Sequence, residues 1–225
     1  MVIVPGRKEP LISGEIYHIF NRGINHGVTF LTDQNYLRAI QTLLFYRYSD
    51  LPIRLSRFLD YTPTRQVEFI SLLGNFECEV KILCYCMMPN HFHLLLRQEK
   101  DGGISKFLGN FQNSYTRYFN TMNKRDGSLF LDQFKAKVVG SQEELIHVSR
   151  YIHLNPYTGF VVKSAEELFS YSWSSVSEYL GKGSSGIDTR QVLGSFRDRD
   201  EYRQFVYGNL EYQRDLGLIK HLFFD

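Results

Sequence analysis

The stretch ECEVKILCYCMMPNHFHLLLRQ, residues 77–98, decides how this chain folds. Its first half alternates Val80, Ile82, Cys84 and Cys86 against Lys81, Leu83 and Tyr85, the period-two pattern of a strand. Pro89-Asn90 breaks that pattern with turn chemistry. The run then resumes as HFHLLLRQ, so two antiparallel strands joined at Pro89-Asn90 are expected. On the second strand His91, His93 and Leu95 share one face, while Phe92, Leu94 and Leu96 share the other. Both imidazoles point the same way.

Working outward, GEIYHIFNRG (14–23) is rich in β-branched and aromatic residues and closes on Asn-Arg-Gly, which reads as a strand and a turn. Behind a Thr32/Asp33 cap, Tyr36, Leu37, Ile40, Leu43 and Leu44 recur at helical spacing. A second short helix is expected around RQVEFISLL. After Asp101-Gly102-Gly103, the residues Ile104, Phe107, Leu108, Phe111, Tyr115 and Tyr118 form one apolar helical stripe. Phe107, Phe111 and Tyr115 are expected in the core, with Tyr171 and Trp173. FKAKVVG (134–140) reads as a strand, and SQEELIHVSRYIHLNP opens with Ser141 and Glu144 at capping-box spacing before an expected stop at Pro156. The order is that of an α+β, ferredoxin-like β-α-β-β-α-β sandwich with an added helix. Residues 14–160 then form one domain, and residues 161–225 a helical C-terminal extension.

Composition narrows the class. With 225 residues, 43% hydrophobic and 22% charged, the chain can bury a substantial core. A net charge of +2 means that a nucleic-acid partner would be held by a local patch. Cys78, Cys84 and Cys86 are too few and too clustered for a secreted disulfide framework, which points to a reducing, cytoplasmic setting. No stretch approaches the roughly 20 apolar residues that span a bilayer, and MVIVPGRKEP lacks the features of a signal peptide. No membrane partner is expected.

Two same-face imidazoles can hold one divalent ion and leave positions open for substrate. Taken alone the His-x-His spacing is a weak signal, and the alternative is a pair of partly buried histidines hydrogen-bonded inside a sheet. On the last helix His147, Tyr151 and Asn155 are four residues apart and share a face, whereas Leu145, Val148 and Ile152 cover another. Brought over His91 and His93, Tyr151 and Asn155 would supply a nucleophile and a third ligand. As alternatives, Tyr151 packs and Asn155 caps the helix. A structural zinc site of Cys84, Cys86, His91 and His93 matches no strong zinc spacing.

As a set, MPNHFHLLL (88–96), SYTRYFNTMNKRDGSLFLDQFKAKVV and RYIHLNPYTGFV strongly resemble the REP-associated tyrosine transposases, relatives of the single-tyrosine insertion-sequence transposases of the HUH class. The resemblance runs from Gly14 to Gly181. It implies a ferredoxin-like nuclease core in which His91 and His93 match the HUH metal pair and Tyr151 the catalytic tyrosine. Asn155 falls where relatives carry a polar third ligand, often glutamine, and is one methylene shorter. NPYTGFV departs from the commoner NPVRAGLV. The activity implied is nicking and rejoining of single-stranded or hairpin DNA through a 5′-phosphotyrosine, with Mg²⁺ or Mn²⁺ as cofactor and a homodimer as one possible assembly. His147 is a candidate proton acceptor.

Between Ile104 and Gly140 six basic residues face two acidic ones. Lys106, Asn110, Asn113 and Arg117 on the helix, with Lys124 and Arg125 in the following loop, are the candidate DNA-binding residues, held to phosphates more than to bases. The competing reading is a catalytically silent protein that binds structured single strands, since such a sheet is also a common nucleic-acid platform. The joint presence of His91, His93 and Tyr151 separates the two, because a binding protein has no need of them.

Overall fold

The Pro89-Asn90 turn joins β2 (Val80–Met88) to β3 (His91–Gln98), with Met88 directly opposite His91. The computed structural model describes residues 10–74, 76–183, 186–212 and 214. Ahead of the hairpin come β1 (Ile16–Arg22), α1 (Asp33–Tyr46), α2 (Leu55–Leu59) and α3 (Pro63–Leu73). After it come α4 (Gly103–Asn123), β4 (Lys135–Val139), α5 (Gln142–Thr158), α6 (Ala165–Phe169), α7 (Val176–Tyr179), α8 (Arg190–Leu193) and α9 (Arg199–Tyr207). The four strands form one sheet in the order β2-β3-β1-β4, with every neighbouring pair antiparallel. This is the expected α+β arrangement. Among the described residues no helix is long and apolar enough to cross a membrane.

The sheet carries a core on each side. On one, the α4 stripe of Ile104, Phe107, Leu108, Phe111 and Tyr115 packs with α1 against Tyr17, Ile19, Phe92, Leu94 and Leu96. Phe92, Phe107 and Phe111 are fully buried, each contributing about 1.5–3 kcal/mol of transfer free energy. On the other side, Cys84, Cys86, Met88 and Leu95 are covered by α5 and by Leu168, Phe169, Val176, Tyr179, Val192 and Tyr202 from α6 to α9. The helices after residue 160 therefore close the second core against α5 and the sheet.

Two expectations are corrected. The simple alternation along β2 breaks between Ile82 and Cys84, where the register shifts. Val80 and Ile82 enter the α1/α4 core, whereas Leu83, Cys84 and Cys86 enter the α5 core. A bulge adds one residue, and one residue reverses the face of everything after it. It sends Cys84 and Cys86 to the α5 layer and Tyr85 and Met87 to the α1/α4 layer. The second correction is that α5 runs past Pro156 to Thr158. In the last turn a proline removes one backbone donor but leaves no long helix beyond it to disrupt.

Candidate active site

Helix α5 is placed by its ends and by a buried polar anchor. Ser141 Oγ accepts from the Glu144 N–H at 3.1 Å, and Glu144 Oε2 accepts from the Gly140 N–H at 3.0 Å, a reciprocal variant of the capping box. Along the helix, fully buried His153 holds Tyr202 Oη of α9 through Nδ1 at 2.7 Å and Ser175 Oγ through Nε2 at 2.8 Å. Ser175 Oγ in turn accepts from the Tyr85 N–H of β2 at 2.9 Å. Removing one member leaves buried groups unpaired at about 1–3 kcal/mol. The helix is thus fastened to both the sheet and α9.

So fastened, α5 sets Tyr151 over the histidine face of the sheet. The Tyr151 ring lies edge-on to His93 at 5.5 Å between centroids, and to His18 at 5.7 Å. His91 and His93 are themselves 5.1 Å apart and nearly perpendicular. One chain brings the nucleophile candidate and the histidine pair together without a second copy. Tyr151 keeps 37% of its surface exposed, while Asn155 is buried. The Asn155 Nδ2 donates to the Tyr151 carbonyl at 2.8 Å. Burial raises the Tyr151 phenol above its ordinary range, and the Asn155 side chain pulls it back. The side-chain contacts of Asn155 are therefore with Tyr151.

Both histidines engage the protein through Nδ1. His91 Nδ1 is 2.7 Å from Asn90 Oδ1, and His93 Nδ1 is 2.9 Å from His18 Nε2. Nε2 of each ring is left as the nitrogen for a ligand. Burial, with the Arg22 guanidinium second, brings His91 down to about 4. Burial, then His91 and His18, holds His93 well below the usual range. Neutral imidazoles with a free nitrogen are the form that ligates a divalent ion, so the donor set fits one. The cysteines do not join it: Cys84 and Cys86 are fully buried, and burial pushes the Cys84 thiol up to about 12. Such a thiol stays protonated. Among the described residues no three His, Cys, Asp or Glu side chains are arranged to hold an ion together.

Residues 68–155 match the family model of IS200-like transposases. That span contains His91, His93, Tyr151 and Asn155. The fold is also similar to the solved structure of a REP-associated tyrosine transposase bound to a REP hairpin, at a TM-score of 0.56 and 15% identity, covering 83% of this chain and 93% of that one. No curated protein matches the chain in sequence. The resemblance drawn from the three motifs is borne out by the family model and by the fold.

Other side chains stand at this face that the motifs did not single out. His18, Phe20 and Arg22 of β1 lie opposite Leu95, His93 and His91 respectively, and Lys137 and Lys135 of β4 lie opposite His18 and Phe20. Alternation along GEIYHIFNRG puts these β1 residues on one face, but only the register shows that it is the His91/His93 face. Beside His91 opens a cleft of about 680 Å³ lined by Phe20, Arg22, His26, His91, Lys135 and Val161 among others. His147 points elsewhere, against Arg150 and the Phe205 ring.

The α4 residues sit on the far side of the sheet. Lys106 is paired with the buried Glu79 carboxylate at 2.6 Å and with Asp50 at 3.3 Å. Arg125 is held by Asn120 Oδ1 at 2.8 Å and the Ser128 carbonyl at 3.0 Å. Asn110, Asn113 and Arg117 line a groove between α1, α2 and α4 that also receives Arg38 and Arg54, while Lys124 borders a second hollow with Arg117.

Acid sensitivity follows from the buried rings. Burial also lowers His18, with Lys137 second, to about 4, and burial alone brings His153 to about 3. In the unfolded chain a histidine takes its proton near ~6.5. Below that pH the unfolded state binds more protons than the native one, so stability is full above it and declines as the pH falls toward 4. The slope is at most about 1.4 kcal/mol per pH unit for a ring as buried as His153. Urea unfolding at pH 8, 6 and 5 checks this, and equal stabilities across that range would contradict it.

Proposed function

We propose that the protein is a divalent-metal-dependent transposase-type enzyme that nicks and rejoins single-stranded or hairpin DNA. The observation that carries this reading is the Tyr151 ring set against His93 within one chain, inside a span that matches the IS200-like transposases. In the reaction Tyr151 Oη attacks the scissile phosphorus and gives up its proton. The P–O3′ bond breaks, the departing oxygen is protonated to a 3′-hydroxyl, and the 5′-phosphate stays esterified to Tyr151. Return of a 3′-hydroxyl reverses the step, so joining needs no outside energy source. Mg²⁺ or Mn²⁺, held by His91 and His93 with Asn155 as the third donor, would supply charge compensation at the phosphoryl oxygens. Asn155 Nδ2 is spent on the Tyr151 carbonyl, so the side chain would contribute its Oδ1.

The cleft beside His91 suits the strand being cut, with Arg22 and Lys135 at its phosphates and Phe20 and Val161 as apolar walls. The groove of Arg38, Arg54 and Arg117, with Asn110 and Asn113, suits the backbone of a stem passing behind the sheet. Lys124 and Arg125 extend that track. Lys106 contributes least, because Glu79 already neutralises it. The hairpin in the structurally similar transposase supports a folded substrate. The test is incubation with end-labelled hairpin DNA and Mg²⁺ or Mn²⁺, which should give a nick and a protein-linked fragment. Tight binding with neither product would leave a binding protein.

Salt dependence tests the groove separately. Changing Arg38, Arg54 and Arg117 together to alanine should weaken all hairpins about equally and lower the slope of log K against log salt by ~0.9 for each duplex phosphate that is no longer neutralised. Lys106→Ala should leave the slope unchanged. A triple variant with the wild-type slope would place the stem elsewhere.

A further inference from the structure

We propose that His18 is a positioning residue that fixes the tautomer of His93, so that Nε2 is the nitrogen His93 turns toward the metal. This rests on the reading of His91 and His93 as a ligand pair. His18 projects from the middle of β1 onto the same face as His93, and its Nε2 stands 2.9 Å from His93 Nδ1. The two rings are stacked at 5.1 Å and 24°, and both are buried. Two facing imidazole nitrogens at that distance share one proton. If the proton belongs to His93 Nδ1, the neutral ring carries a lone pair on Nε2 and is a ligand. If it belongs to His18 Nε2, neutral His93 must carry its own proton on Nε2 and cannot bind an ion there.

The neighbouring ring already has the ligand-competent arrangement that we assign to His93. His91 Nδ1 meets the amide oxygen of Asn90 at 2.7 Å, which can only accept, so His91 is protonated on Nδ1 and also offers Nε2. An outer partner that takes the Nδ1 proton and orients the ring is the common support of a metal-bound histidine. Asn90 does this for His91 from the turn, and His18 does it for His93 from the adjacent strand. His18 is not itself a third ligand, because when its Nε2 accepts from His93 the neutral ring carries its own proton on Nδ1 and has no lone pair left for an ion. Its ring also bears on Tyr151 at 5.7 Å, so one side chain aligns both the ligand and the nucleophile.

The experiment uses the full chain labelled with ¹⁵N. In the metal-free protein, long-range ¹H–¹⁵N correlation should show His93 protonated on Nδ1. His18→Gln keeps an acceptor oxygen and should bind Mn²⁺, followed by its EPR signal, within a few-fold of wild type. His18→Leu removes the acceptor and should weaken Mn²⁺ binding by ~10–100-fold. His93 protonated on Nε2 in the wild type would overturn the proposal even if His18→Leu fails to fold. So would a folded His18→Leu with wild-type Mn²⁺ affinity while His91→Ala binds poorly. If His91→Ala and His93→Ala both bind Mn²⁺ as wild type does, the ligand pair itself is wrong, which is a different result.

Discussion

Replacing Tyr151 by phenylalanine is expected to abolish the covalent protein–DNA adduct and lower strand cleavage by at least ~10³-fold, because only the nucleophilic oxygen is removed. The ring contacts with His93 and His18, at 5.5 and 5.7 Å, are retained. Stability should change by no more than about 0.5 kcal/mol, as for other partly exposed positions, and hairpin binding should survive. Denaturing electrophoresis of end-labelled DNA gives the answer directly. An adduct that persists in Tyr151→Phe would reassign the nucleophile. Tyr115 is not a credible substitute: it is fully buried, and its hydroxyl donates to the Thr29 carbonyl at 2.7 Å.

The second large effect is expected at the histidines. His91→Ala should lower cleavage by ~10³-fold, the several kcal/mol that a bound ion supplies to developing charge. EDTA should do the same to the wild type, with recovery on adding Mn²⁺. His91 ends the hairpin turn and is only half-buried, so its replacement should cost little folding stability. His93→Ala should abolish cleavage as well but is the less clean variant. It empties a buried site and leaves His18 Nε2 without its partner, at about 1–3 kcal/mol. Cleavage that continues unchanged in EDTA would end the metal reading.

Much of the candidate site was legible before folding because its parts are local. His91 and His93 share a face since a strand repeats every two residues, and Tyr151 and Asn155 lie together since a helix brings i and i+4 onto one side. The same periodicities delimited the strands and the α4 stripe, whose members are buried in the first core except Tyr118, which packs half-buried against it. Where local rules compete, they misled. Pro156 reads as a helix stop, yet the last turn of α5 accommodates it. The alternation along β2 reads as one face, yet the bulge before Cys84 divides it between two cores.

By itself, then, the sequence determined the element order, the paired imidazoles and the spacing of Tyr151 and Asn155, all properties of chain geometry within a few residues. Only the tertiary structure decided what these groups meet. Antiparallel pairing of β1 with β3 brings His18 to His93 across 75 residues of chain, and strand register is a non-local outcome of which faces the whole sheet can bury. Packing put α5 on one side of the sheet and α4 on the other, which separates Tyr151 from the Arg117 groove. It also joined Lys106 to Glu79, turning a cation that composition assigns to DNA into half of an ion pair. Charge can be counted along a chain, but its availability depends on the neighbours that folding supplies.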